Sequence, residues 1–422
     1  DISATLSSSS QLVNITDSES VYNNIEVNES SIGDGFALEI SSETIFNDDI
    51  NLVLEISYNN NNWTFYVPIS IAAPKIDINS FTLIDGYINP GLSAEINLEI
   101  QNTGNLAIEG LTAQIISPTN LISVIDSDIN YGNIGIGELA TSESLALSFD
   151  ESIFKGSVFP LEFNFTSPSG YNRSEYLNLT VGEVDVLSPL GPDMYGYYIY
   201  DSGDTDYELA PVYDWIEIDP AYGGDGIDLN LSDSGNGNSA TNSTTSIFLP
   251  FTFYFYGESY TQVSISTNGW IAFGNRSNLL SFRNYPIPGA GGPSPMVAAF
   301  WDDMKTTSSG DVFYKTIDNN VDQSLVIEWS DMRTNDNSSE EDFQIILSPN
   351  PNSETGDGNI KIQYKTFNNT SDGYYPSGGT PTHGCYTTIG IENQYGNEGL
   401  QYTFNNEYPT AAMPLSNNKA IF

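Results

Sequence analysis

Residues 263–273 read Val-Ser-Ile-Ser-Thr-Asn-Gly-Trp-Ile-Ala-Phe, and this stretch decides the fold class. Val263-Ser-Ile265 and Trp270-Ile-Ala-Phe273 are runs of β-branched and aromatic residues, the side chains that fit a pleated surface. Between them stands Asn268-Gly269, a pair that accepts the positive φ angles of a two-residue hairpin turn. The stretch therefore reads as an antiparallel β-hairpin. The same pattern extends outward. Phe251, Phe253 and Phe255 share one face, while Ile360, Ile362 and Tyr364 alternate with Lys361, Gln363 and Lys365. Leu400, Tyr402 and Phe404 alternate with Gln401, Thr403 and Asn405. Alternation of this kind gives each strand one buried and one wet face, the habit of antiparallel sheets. Asp357-Gly358, before Asn359, reads as a second hairpin turn.

Toward the N-terminus the strand signals continue. Asn51 to Tyr58, an Asn-rich turn and Trp63 to Ile71 form a hairpin pattern, and Ala94 to Ile100 alternates before the turn Asn102-Thr-Gly104. No long window carries a capped helical stripe, and strand-length runs recur about every 8 to 12 residues, the spacing of β-sandwiches. The expected fold is all-β, built from tandem antiparallel β-sandwich modules.

The chain aligns with itself at an offset of 109. Ala4 meets Ala113, Leu12 meets Leu121, Asp17 meets Asp126, Tyr22 meets Tyr131, Ile25 meets Ile134, and Ala37-Leu38 meets Ala146-Leu147. One deletion later, Ile45-Phe46 meets Ile153-Phe154. This is an internal repeat. Asp1 aligns with Gly110, yet the second copy also owns Pro74 to Glu109. The first copy is thus expected to lack strands, leaving an open edge and an uncovered core, and Asp1 to be a boundary inside a longer polypeptide. Lys419 to Phe422 reads as a strand that continues further. Because single cores stop growing at roughly 250 to 300 residues, 422 residues imply several domains. The division is 1–73, 74–182 and 183–422, with a long surface loop near 223–245 where large apolar residues are scarce.

Eleven Lys plus Arg stand against 55 Asp plus Glu, a formal charge of −44, which repels phosphate backbones and anionic lipid head groups. Nucleic acid is excluded as a partner. The charge suits a surface bathed in salt water or one that holds divalent cations. No run approaches the roughly 18 apolar residues of a membrane-spanning helix, and no targeting peptide precedes Asp1, so such a segment is expected to have been removed. Cys385 is the only cysteine, so no internal disulfide exists. Asn-x-Ser/Thr occurs at Asn62, Asn164, Asn178, Asn242 and Asn337, but an Asn- and Ser-rich chain generates that tripeptide by chance.

Ser266-Thr-Asn-Gly-Trp-Ile-Ala-Phe-Gly274, Met296-Val-Ala-Ala-Phe-Trp-Asp-Asp303, Gly310-Asp-Val-Phe-Tyr314 and Leu325-Val-Ile-Glu-Trp329 follow one another in the order seen in the nidogen-like extracellular domain, which this tract resembles. Ser281 to Pro288 and Thr388 to Asn393 extend the likeness over about 187–422. The tract looks like the C-terminal β module of large secreted bacterial proteins, including gingipain-like cysteine peptidases, and the upstream repeats resemble their Ig-like stalk modules. In such peptidases the reactive Cys and His sit in a separate domain, so the resemblance carries over no catalytic residue.

The residues themselves agree. The single histidine, His383, lies two positions from Cys385, but a thiolate needs an electropositive, partly exposed setting, whereas Tyr386 to Gly390 continues a core strand. Asp201-Ser-Gly203 and Asp233-Ser-Gly235 mimic the loops of aspartic proteases, yet Asp-Ser-Gly is ordinary turn chemistry. Two acidic groups, Asp201, Asp204 and Asp206, and Asp302, Asp303 and Asp311, offer the clustered oxygens that calcium takes. Calcium is expected there as a structural ion, weighed against solvated turns. Tyr195, Tyr197, Tyr198, Tyr200, Trp215, Tyr374 and Tyr375 could stack on a glycan if exposed; Tyr-rich strands more often bury their rings.

The expected role is a non-catalytic structural or adhesive region of an extracellular or cell-surface protein, acting as stalk and interaction module. Its partners would be other modules of the same polypeptide, neighbouring chains, or protein or glycan surface ligands, without membrane insertion. Two alternatives stand beside it: the accessory C-terminal region of a secreted gingipain-like peptidase, and the subunit of an extracellular fibre or surface layer.

Overall fold

The computed structural model describes every residue except 1, 42–45, 47–48, 126, 236–242, 280, 319–322, 354 and 374–383. The chain is all-β and falls into two compact units, 1–183 and 184–422. No helix among the described residues is long and apolar enough to cross a membrane.

Among the described residues the first unit carries fifteen strands. They are β1 (Ile2–Ser8), β2 (Val13–Asp17), β3 (Glu19–Tyr22), β4 (Ala37–Ile40), β5 (Asp49–Tyr58), β6 (Asn61–Ser70), β7 (Ile76–Gly86), β8 (Ser93–Asn102), β9 (Ile108–Ile116), β10 (Ile122–Val124), β11 (Asp128–Ile134), β12 (Leu139–Thr141), β13 (Leu145–Phe149), β14 (Ser157–Thr166) and β15 (Asn172–Val181). Sheet β3-β1-β5-β6 has the same order as sheet β11-β9-β14-β15. The register repeats as well. Ala4 pairs with Ile56 and Leu6 with Leu54, and 109 residues on Ala113 pairs with Phe165 and Ile115 with Phe163. Val13 faces Ile40 and Ile15 faces Leu38, as Ile122 faces Phe149 and Val124 faces Leu147.

The second copy closes into a sandwich because β8 inserts between β13 and β12 and also pairs with β7. Its alternation now has a cause: Ala94, Ile96, Leu98 and Ile100 point inward and are at most 2% exposed. They meet Leu111, Leu147, Leu161, Phe163 and Phe165 from both sheets, each large side chain contributing roughly 1.5 to 3 kcal/mol by leaving water. Asn102 ties the corner: its Oδ1 accepts from Lys75 N and Gly104 N, and its Nδ2 donates to Leu106 O at 2.8 Å.

The second unit carries β16 (Ile227–Asp228), β17 (Thr244–Phe255), β18 (Glu258–Ser266), β19 (Trp270–Phe273), β20 (Met296–Trp301), β21 (Met304–Lys305), β22 (Asp311–Asp318), β23 (Gln323–Thr334), β24 (Glu340–Ser348), β25 (Asn359–Thr366), β26 (Thr388–Glu392), β27 (Gly399–Phe404) and β28 (Lys419–Ile421). Sheet β17-β18-β19-β20-β26-β27 faces sheet β16-β22-β23-β24-β25-β28. The layer between them is aromatic, with Phe253, Phe255, Phe273, Phe300, Trp329, Phe343 and Tyr364 in one cluster. Trp329 stacks on Phe343 at 4.9 Å and sends its indole N–H to Ser266 O at 2.7 Å, so the ring is packed and its polar atom satisfied.

Three local readings change. The β18–β19 hairpin has a three-residue connection, because Ser266 pairs with Trp270. Gly269 takes φ +73°, and a Cβ there would meet Phe300 O at 1.8 Å, while Asn268 Oδ1 accepts from Met304 N at 2.9 Å. The Asn-Gly pair thus joins two connections as well as turning one. Asp357-Gly358 does not make a tight hairpin: it ends the connection from Ser348 to Asn359, and Gly358 is needed because a Cβ would lie 2.3 Å from the Phe253 ring. The stretch 223–245 is not wholly a surface loop, since β16 pairs with β22 and Leu231, Asp233 and Thr244 are buried; residues 236–242 lie outside the described ones.

Candidate functional site

The six acidic residues expected to hold calcium occupy three places. Asp201 is buried; its Oδ1 accepts from Gly203 N at 2.6 Å, and its Oδ2 from Tyr402 Oη at 2.8 Å and Met413 N at 2.9 Å. It clasps its own turn to β27. Asp204 lies in the same turn and accepts from Asp201 N at 2.8 Å, while its buried Oδ1 has no hydrogen-bond partner. Burial pushes its carboxyl up to about 6. Asp206 is exposed.

Asp302 and Asp303 follow β20 in a dry corner. Asp302 is fully buried; Oδ1 accepts from Asp303 N at 2.7 Å and Oδ2 has no partner, so burial holds its carboxyl well above the ordinary range. Asp303 accepts from Asn335 Nδ2 at 3.0 Å. Asp311 stands elsewhere: burial and then Asp228 and Asp219 raise its carboxyl to about 6, whereas the charges around Asp302 are Asp303, Glu341 and Asp336. Among the described residues the one group of three carboxylates with oxygens within 4.8 Å of one another is Asp331, Glu340 and Asp342. A register shift before Met332 and the positive φ of Asp331 bring it together, and Asp331 N donates to Asp342 Oδ1 at 2.7 Å. Tyr222 and Arg333 are its partners as well. The bulge is a tertiary feature that sequence spacing does not announce.

The most perturbed carboxyl at a printed value was not singled out from sequence. Glu328, Gln344 and Gln363 are cross-strand neighbours on the outer face of β23, β24 and β25. They bind the main chain of an extended strap. Gln363 accepts from Asp214 N at 2.6 Å and donates to Asp214 O at 2.7 Å; Gln344 does the same with Ile216 at 3.3 and 3.2 Å. Glu328 accepts from Ile218 N at 3.1 Å. Two residues per rung fit because alternate backbone groups of an extended chain point the same way. Glu328 is 0% exposed, and burial followed by the nearby Glu217 raises it to about 9. Its Oε1 is buried without a hydrogen-bond partner and has the Glu217 carboxylate as its nearest charge; two carboxyls at close range favour a proton on one of them. Glu217 is desolvated too, yet the Lys365 ammonium, 3.0 Å away, keeps it low. Lys365 in turn lies over the Trp215 and Tyr222 rings at 5.4 and 5.0 Å. Glu328 is therefore the carboxyl that keeps its proton most readily beneath the strap, where its Oε2 holds Ile218 N.

The groups weighed for catalysis have structural tasks. Cys385 is buried, its thiol donates to Asp372 O at 2.8 Å, and Asn284 brackets its peptide from both sides. His383 lies outside the described residues, as do Tyr374 and Tyr375. Asp201 and Asp233 each accept from the glycine two positions on, at 2.6 and 2.8 Å, so both Asp-Ser-Gly segments are turns. Tyr197 packs against Tyr195, Tyr256 and Phe255, and Tyr200 is buried. Tyr197 and Tyr200, with Tyr198, Ile360, Ile362 and Phe422, line an apolar cavity of about 240 Å³.

A family model described as NIDO related, that is nidogen-related, matches residues 229–421. It covers β17 to β28 and both sheets of the second sandwich. No curated protein matches the chain.

Proposed function

We propose, with a nidogen-related module over residues 229–421 as the premise, that this chain is a non-catalytic structural and interaction region of an extracellular protein. In this reading the modules are 1–73, 74–182 and 183–422, the first two serving as stalk and the third meeting other modules, neighbouring chains or surface ligands. What supports it above all is the repeated sandwich, whose strand pairing recurs at a spacing of 109 residues. Repetition of one packed unit builds length, and each copy needs only its neighbours. The charge of −44 keeps such a surface soluble and uncommitted to nucleic acid. Calcium at Asp201, Asp204 and Asp206, and at Asp302, Asp303 and Asp311, belongs to the same proposal; the unpartnered Asp204 Oδ1 and Asp302 Oδ2 support it. Antibodies against residues 184–422 should label intact cells of the source, and external protease should remove the label without lysis. Recovery of the protein only from lysed cells would overturn this reading.

A further inference from the structure

The two repeats share their register in β1–β5 and β9–β14 and in β2–β4 and β10–β13, so the strands that only one of them has locate an uncovered place in the fold. In the second copy, β13 pairs on one side with β10 and on the other with β8, Leu145 opposite Ile96 and Leu147 opposite Ala94. In the first copy, β4 pairs with β2 alone among the described residues. On the side of β4 away from β2, where β8 lies in the second copy, Phe36 and Leu38, the counterparts of Leu145 and Leu147, have no strand across from them among the described residues. The loss propagates. β12 exists by pairing with β8, and its counterpart, 30–32, has no strand, with Ile32 98% exposed.

The sheet face tells the same story. Trp63, Phe65 and Val67 stand opposite Ile56, Leu54 and Leu52, on the side that buries Ala4, Leu6, Ile50 and Leu52. This is the inner face of a sandwich, yet Trp63 is 47% and Phe65 50% exposed. Ile40 is 41% exposed where its counterpart Phe149 is 2%. In the second copy β7 reaches β15 and Ile76 N donates to Tyr171 Oη at 3.1 Å, so the missing layer is the one β7 and β8 provide.

We propose that the first repeat is an acceptor for a further copy of the repeat's own strand pair. This occupant is a hairpin patterned like Ile76–Asn102, whose second strand adds antiparallel to β4 opposite Phe36–Glu39. Its apolar face covers Trp63, Phe65 and Val67. Edge addition satisfies the open backbone groups of β4, and apolar residues at every second position fill the uncovered face. The chain's own β7 and β8 cannot serve, because Ala94, Ile96, Leu98 and Ile100 are already buried in the second repeat. The inference deepens the structural-module reading but stands on the repeat alone; its failure would leave the nidogen-related module untouched.

The test places a second copy of Pro74–Glu109 ahead of Asp1 in the full chain, beside the same extension carrying Ile96→Asp and Leu98→Asp in the added copy. Trp63 is the one tryptophan of the first unit, Trp270, Trp301 and Trp329 are 0% exposed, and Trp215 is half-buried, so in a Trp215→Phe background iodide quenching reports on Trp63. The intact extension should at least halve that quenching and slow amide exchange over residues 37–40 by about tenfold or more; the Asp-bearing extension should do neither. If the extended chain misfolds, the synthetic Pro74–Glu109 peptide added to the unextended chain should give the same protection. Unchanged quenching and exchange with both the extension and the peptide would overturn the proposal. So would a chain whose Trp63 is already shielded by self-association, which would make a second copy the occupant.

Discussion

Replacing Glu328 by Gln tests whether the acid beneath the strap over the outer sheet keeps its proton. The carboxyl is 0% exposed and titrates near 9, against an ordinary 4.5. A folded-state value above the unfolded one means that the stability it lends is complete below about pH 4.5 and is lost as pH rises toward about 9. At pH 7 the folded chain must hold a proton the unfolded chain has released. Over 2.5 pH units, at about 1.4 kcal/mol each, that costs about 3.5 kcal/mol. Gln needs no proton, can accept from Ile218 N as Glu328 does, and can turn an amide N–H toward Glu217. It forfeits the contact of a carboxyl O–H with the Glu217 carboxylate, about 1 kcal/mol. The net expectation for Glu328→Gln is about 2.5 kcal/mol of stabilisation at pH 7 and a slight loss near pH 4. Urea unfolding followed by tryptophan emission, at pH 5, 6, 7 and 8, measures the difference between the two proteins. Other raised carboxyls such as Glu341, near 7, act on both alike. A difference that stays flat from pH 5 to 8, or a variant less stable at pH 7, would refute the retained proton.

Further outcomes follow from the same geometry. Leu147→Ala should destabilise the first unit by about 2 to 5 kcal/mol, while Leu38→Ala, at the equivalent but half-buried place, should cost under about 1 kcal/mol; equal costs by chemical denaturation would contradict the uncovered face. Asn268→Ala removes the acceptor for Met304 N inside a closed corner and should lower the melting free energy by about 1 to 3 kcal/mol. Gly358→Ala should destabilise by about 1 to 3 kcal/mol through contact with the Phe253 ring. If calcium belongs to the folded chain, a chelator should lower the melting temperature, because an ion bound by the folded state alone adds to its stability; an unchanged melt removes it.

Alternation alone made the all-β class legible: Ala94 to Ile100, Ile360 to Tyr364 and Leu400 to Phe404 could bury one face only as strands. Self-alignment found the repeat, because two copies of one fold keep their core positions at one spacing. The turns were less legible. Asn268-Gly269 and Asp357-Gly358 look alike in sequence, but what separates them is what each approaches, Phe300 O for Gly269 and the Phe253 ring for Gly358. The acidic groups show the same limit. Asp302, Asp303 and Asp311 are close in sequence, yet the end of β20 and the start of β22 give Asp311 the separate company of Asp228 and Asp219. Glu328 read as a polar residue in a strand, and only the strap laid across three strands made it a buried acid with a neighbour 111 residues away, Glu217. Periodicity records which face of a strand is dry, since that depends on the backbone's own two-residue repeat. Which charges meet depends on chain segments crossing from elsewhere, and neither spacing nor composition encodes that crossing.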